Sequence, residues 1–228
     1  MESNPPTLTL TDCKNSGQIT HDSSFLGNGV SLHQSCNFIM YGGSVTGNST
    51  SGGENTTWRS GGVCVQDNST FTMYGGSITD NTTVWNGGGV YVGGSGKFYM
   101  HGGTISGNSA SSNSGSSGGG VHIGSDSAFT MTGGTISGNS ASNNGGVHIG
   151  SGSTFTMTGG SITGNNAGTG GGVYVSSDVG YGNSILTLSG AVQIKDNVCN
   201  GTKGSNGNYS GGTTSNVYLR GDKTITIG

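Results

Sequence analysis

Apolar residues recur along this chain in one fixed order, with polar residues holding fixed places between them. The unit reads Phe-x-Met-x-Gly-Gly-x-Ile-x-x-Asn, then a loop of variable length, then Gly-Gly-Val-x-Val. It starts at Phe38 (with Val45 in the Ile place), Phe71, Phe98, Phe129 and Phe155, at intervals of 33, 27, 31 and 26 residues. A looser copy runs Leu186, Leu188, Val192, Ile194, Asn197, Val217, Leu219, and a degenerate one opens the chain at Leu8, Leu10, Ile19, Val30 and Leu32. The chain closes on Ile225 and Ile227, which read as another first segment. A constant frame whose insertions all fall in one loop marks stacked structural repeats.

Within each copy the segments Phe-x-Met, x-Ile-x and Val-x-Val alternate with period two, which predicts strands. They are too short for a sandwich but suit one side of a coil stacked on its neighbour. Glycine pairs after Phe-x-Met-x and before Val-x-Val supply the corners. The expected fold is all-β: a right-handed parallel β-helix of about seven coils, three short strands per coil, roughly 35 Å long at ~4.8 Å per coil. Residues 1–6, with two prolines, read as a lead-in, and residues 7–228 as one domain. Phe, Met, Ile and Val form the expected core columns, each side chain contributing ~1.5–3 kcal/mol on burial. Asn48, Asn81, Asn108, Asn139, Asn165 and Asn197 form a column expected to point inward and bond amide to amide. The alternative is that they are simple turn residues.

Composition narrows the function. There are 50 glycines and only 7% charged residues, with a net charge of −3. Leu, Ile, Val and Phe are scarce enough to suggest disorder, but a disordered chain usually also carries high net charge. Glycine does not fall every third residue, which excludes collagen. No basic stripe exists to neutralise phosphates, so nucleic acid is not an expected partner. No apolar run approaches the ~20 residues of a membrane helix, and membrane insertion is not expected. The first residues lack the basic start and apolar stretch of a signal peptide. Cys13, Cys36, Cys64 and Cys199 contain no Cys-x-x-Cys pair and do not align as neighbours.

The Phe-x-Met-x-Gly-Gly-x-Ile-x-x-Asn and Gly-Gly-Val-x-Val pattern resembles the repeats of right-handed parallel β-helical surface proteins of bacteria and archaea. These include adhesin-like proteins, autotransporter passenger regions and polymorphic outer-membrane proteins. The resemblance covers residues 7–227. It implies an extracellular or cell-surface location and an adhesive or structural role, and it brings no catalytic residues.

The search for chemistry finds little. A glycan-cleaving β-helix needs two close carboxyl groups on one face. Asp67 and Asp126 share a turn position two coils apart, and Asp80 and Asp196 share one four coils apart. The expectation is therefore no enzyme, no cofactor and no metal. Tyr91, His122, His148 and Tyr174 occupy one outward slot, read as a solvated aromatic ladder or a contact face. His122 and His148 sharing a metal is the alternative. Cys64 faces outward by parity, free or bridged to another chain. Thr9, Thr72, Thr130, Thr156, Thr187 and Thr226, with Thr132 and Thr158, suggest an ice-binding face, but Ile39, Tyr99, Tyr41, Tyr74 and His101 interrupt it. Of six Asn-x-Ser/Thr sequons, Asn55, Asn200 and Asn208 lie in long loops and are the candidate glycan sites, ahead of Asn48, Asn68 and Asn81.

The chain shows no capping helix, and it opens and closes on the same strand type. Leu8 and Leu10 at one edge and Ile225 and Ile227 at the other predict head-to-tail strand addition between copies. The expected protein is thus a self-associating filament subunit, with host-surface or glycan ligands as further partners. The alternative is a stretch of a longer monomeric adhesin, and less favoured are an ice-binding protein and a polysaccharide-degrading enzyme.

Overall fold

The computed structural model describes residues 4–11, 17–21, 27–51, 60–112, 115–176, 182–204, 209–221 and 225–228. Every regular element among them is a strand. The protein is all-β, built of long parallel sheets in which corresponding strands of successive repeats lie side by side. Phe-x-Met strands pair in register, as in Phe71↔Phe98, Phe98↔Phe129 and Phe129↔Phe155. The x-Ile-x strands pair likewise (Ile78↔Ile105↔Ile136) and join the same 13-stranded sheet, because the two segments fuse in Thr154–Thr163 and in Ile185–Lys195. The Val-x-Val strands form a second sheet of seven.

A third sheet was not foreseen. Two-residue strands directly after the asparagine column, such as Thr82–Thr83, Ser109–Ala110 and Ser140–Ala141, also pair in parallel. Each repeat therefore has four strands where three were expected. Two residues are too few for alternation to show, and only the inward residue of each pair is buried: Thr50, Thr83, Ala110, Ala141, Ala167.

Register puts like on like in the core. The rings of Phe38, Phe71, Phe98, Phe129 and Phe155 stack at centroid spacings of 4.6–4.8 Å, and Met and Ile columns stand beside them, fully buried. The corner after Phe-x-Met requires glycine. Gly103 has φ +84°, and a Cβ there would lie 2.7 Å from the carbonyl oxygen of Gly76 in the preceding repeat. Gly76, Gly134 and Gly160 repeat both conditions.

Candidate functional surfaces

The inward asparagines form one continuous hydrogen-bonded line. Asn81 donates from its backbone N and from Nδ2 to Asn108 Oδ1 at 3.0 and 2.9 Å, and Asn108 does the same to Asn139. Each Nδ2 from Asn81 to Asn197 also reaches a carbonyl of the preceding repeat, as Asn108 does to Ile78 at 2.9 Å. All six are at most 1% exposed. In this geometry they bind the chain to itself and offer nothing to a ligand.

The line has a seventh member that the repeat pattern hides. Asn197 donates to Asn216 Oδ1 from N and Nδ2, both at 3.1 Å. Asn216 stands directly before Val217, where other repeats have Gly62, Gly89, Gly120, Gly146 and Gly172. A Cβ at those glycines would lie 2.8–3.0 Å from the Nδ2 of the next repeat's asparagine. Asn216 thus fills from a new backbone position the space of a further ladder asparagine. Beside it, Thr213–Thr214 pairs antiparallel with Val198–Cys199, at the end of an otherwise parallel sheet. Thr202–Lys203 and Tyr209–Ser210 form an antiparallel pair in the same loop. The loop after Asn197 thus doubles back over this sheet edge, covering it with strands and not with a helix.

The Tyr91, His122, His148, Tyr174 column is brought together, and Tyr218 extends it. The rings stack nearly parallel, His122 on His148 at 4.6 Å and 2°. The column is not solvated, however. Its four members are 5–9% exposed, and Cys64, in register with Tyr91, is completely buried. The side chains leave the core as alternation requires, but glycine-rich loop segments pack over them. A Cβ at Gly118 would meet His122 Cβ at 2.8 Å, and one at Gly93 would meet the Tyr91 ring at 2.6 Å. Burial removes both the contact-face reading and a Cys64 bridge to another chain. Sharing of one metal by the two histidines also fails. Imidazole lone pairs lie in the ring plane and need the ion about 2.1 Å away, whereas these planes run parallel and never meet. Among the described residues no group of three or more His, Cys, Asp or Glu side chains is placed to hold a metal ion.

The aspartates take backbone roles. Asp80 and Asp196 have φ of +55° and +57°, in the slot where Gly47, Gly107, Gly138 and Gly164 also have positive φ. Asp67 and Asp126, at +54° and +57°, turn the chain after Val-x-Val. Aspartate tolerates this left-handed region better than most residues. Asp12, Asp22, Asp178, Asp222, Glu2 and Glu54 lie outside the described residues, as does Cys13. Cys36 and Cys199 are half-buried free thiols.

On the outer surface, Tyr41, Tyr74 and His101 form an exposed stack at 5.0 and 4.9 Å, and His101 Nδ1 lies 2.9 Å from Thr132 Oγ1. The threonine array is broken in register by Ile39 and Tyr99. A more regular hydroxyl surface lies on the x-Ile-x strands, in the columns Ser44, Ser77, Thr104, Thr135, Ser161 and Thr46, Thr79, Ser106, Ser137, Thr163. A shallow polar groove of about 530 Å³ opens at its start, against Gln18, Gly43 and Gly76. Of the sequons, Asn200 and Asn68 are exposed at positive-φ turns, while Asn48 and Asn81 are locked in the ladder. Asn55 and Asn208 lie outside the described residues. At the edges, Leu8 and Ile227 are exposed and Leu10 and Ile225 are half-buried.

One group of polar side chains escaped the sequence reading. Ser31 Oγ lies 3.0 Å from His33 Nε2, and His33 Nδ1 lies 3.2 Å from Asp67 Oδ2. Asp67 is 34 residues from His33, and only register brings them together. The visible signal was the alternation Val-Ser-Leu-His, which puts Ser31 and His33 on one outward face.

No protein-family model matches the chain, and no curated protein or solved structure matches it either.

Proposed function

We propose that the chain winds as a right-handed parallel β-helix of about seven coils and serves as an extracellular scaffold of the surface-adhesin type, structural or adhesive in role. What supports this reading is how completely stacking accounts for the repeated residues. The repeated Phe, Met, Ile, Val and Asn are consumed by contacts between repeats, and from Ser44 to Thr163 the outward positions of the x-Ile-x strands are all uncharged hydroxyls. A scaffold needs no more, and neutral glycans or host-surface molecules are the ligands such a face suits.

Of the two assembly states, the discrete one has the better support. Asn216 and the antiparallel Thr213–Thr214 occupy the positions that the next layer's asparagine and short strand would need. The observation favouring a filament is the pair of strands Thr7–Leu10 and Ile225–Ile227, which carry matching apolar positions at opposite edges of one sheet. Light scattering over a wide concentration range, with electron microscopy, decides between them. Concentration-independent particles of single-chain mass support the discrete scaffold. Rods that lengthen with concentration support the filament and reject the discrete reading.

A further inference from the structure

The Ser31, His33 and Asp67 relay stands apart from the scaffold reading. Asp67 Oδ2 beside Nδ1 places the imidazole proton on Nδ1, which turns the lone pair of Nε2 toward the Ser31 hydroxyl. Nucleophile, base and orienting acid are thereby connected in the order that acyl transfer uses.

The turns around them hold this arrangement. Gln34, Ser35, Asp67 and Asn68 all have positive φ, from 54° to 64°. Ser35 N donates to Asp67 O at 2.8 Å, tying one turn to the other. Non-glycine residues in this region are strained and persist where the surroundings enforce them.

A reacting carbonyl also needs donors for its oxygen. Val30 N donates to Gly62 O, and Leu32 O accepts from Gln66 N, so both residues turn their backbone toward Val63–Val65. Ser31, between them, turns its own N–H to the other edge, where no described strand pairs. Asn28 Nδ2 donates to Ser31 Oγ at 3.4 Å, which puts a further N–H donor beside the nucleophile.

We propose that Ser31, His33 and Asp67 form a surface acyl-transfer site that hydrolyses small, uncharged esters. Ser31 Oγ attacks the ester carbonyl carbon while its proton passes to His33 Nε2. The bond from carbon to the alcohol oxygen breaks, and His33 returns the proton to that oxygen, releasing the alcohol. Water then attacks the acyl-serine, with His33 again taking and returning the proton, to yield the carboxylic acid and free Ser31. The site is open to water, where fixed dipoles act weakly. Its substrates are therefore activated esters, and its advantage lies at the low end for acid–base catalysis, about a hundredfold.

The test treats the whole chain with a fluorophosphonate probe and locates the adduct by peptide mass spectrometry, with p-nitrophenyl acetate hydrolysis followed in parallel. Ser31 is expected to carry the adduct, with labelling cut at least about tenfold in His33→Ala, where the base is lost and Ser31 remains. Asp67→Asn, which keeps a residue suited to positive φ, is expected to slow it as well. Ser31→Ala is expected to lose the ester hydrolysis. The relay side chains lie at the surface, and unchanged melting curves verify that each variant is folded; His33→Gln replaces His33→Ala if that variant is not. No adduct on Ser31, or one formed equally fast without His33, overturns the proposal.

Discussion

At the scale of the residue, the ladder asparagines tie each repeat to the next through buried hydrogen bonds. Asn108 accepts two hydrogen bonds through Oδ1 and donates two through Nδ2, all buried. Asn108→Ala strands Asn81 N–H and the Ile78 carbonyl, and unsatisfied buried groups cost ~1–3 kcal/mol each. A loss of about 3 kcal/mol or more is expected, read from urea unfolding midpoints. The buried rings predict the opposite kind of result. Tyr91 and Tyr174 flank the histidine pair in the same slot, which therefore already accommodates a phenol, so His122→Tyr with His148→Tyr is expected to change stability by less than ~1.5 kcal/mol. A larger loss in the same unfolding measurement would show that imidazole itself is required there. Ladder membership also sorts the sequons. Expression in a glycosylating host should place glycans on Asn68 and Asn200, with Asn48 and Asn81 unmodified in the folded protein, as read by peptide mass spectrometry. The sequence marked Asn48 and Asn81 as inward through their column alone, whereas the exposure of Asn68 became visible only in its turn.

At the scale of the element, the strands legible in the sequence were those long enough to alternate. Phe-x-Met and Val-x-Val announce themselves because burial of every second residue repeats in each copy. Ser109–Ala110 and its counterparts do not, since a strand of two residues has no period. What extends them is the asparagine just before, whose bonded backbone N–H delivers the chain parallel to its neighbour. Corners follow a similar division. The Gly-Gly pairs predicted bends, but that the second glycine combines positive φ with close approach to a carbonyl depends on stacking. Gly103→Ala is therefore expected to cost more than the ~1–2 kcal/mol of a left-handed residue alone, because the Cβ also meets backbone. Thermal melting of this variant beside Gly211→Ala, where φ is +69° but a Cβ would meet nothing within 4 Å, separates the two contributions.

At the scale of the whole molecule, the loop after Asn197 departs from the repeat. Asn216 satisfies Asn197 while taking the space of the next rung, and the antiparallel loop covers the adjoining edge. Asn216→Gly restores the glycine of the other repeats and leaves Asn197 N and Nδ2 without their acceptor. Lower stability, by ~1–3 kcal/mol, and a concentration-dependent rise in light scattering are expected together. Destabilisation without association would show that Asn216 supports the fold but does not guard the edge.

The sequence alone determined the strands that alternate, the columns they form and the inward asparagines, because stacking in register forces every repeat to present the same residue at the same place. It could not determine what covers the outward positions. Parity says that Tyr91, His122, His148 and Tyr174 leave the core, but loops of variable length decide whether water meets them. Nor could it show contacts that depart from the repeat, since these join positions that no periodicity relates. Asn216 completing the ladder from a glycine site and Asp67 reaching back to His33 are both of that kind, and only the tertiary structure brought them together.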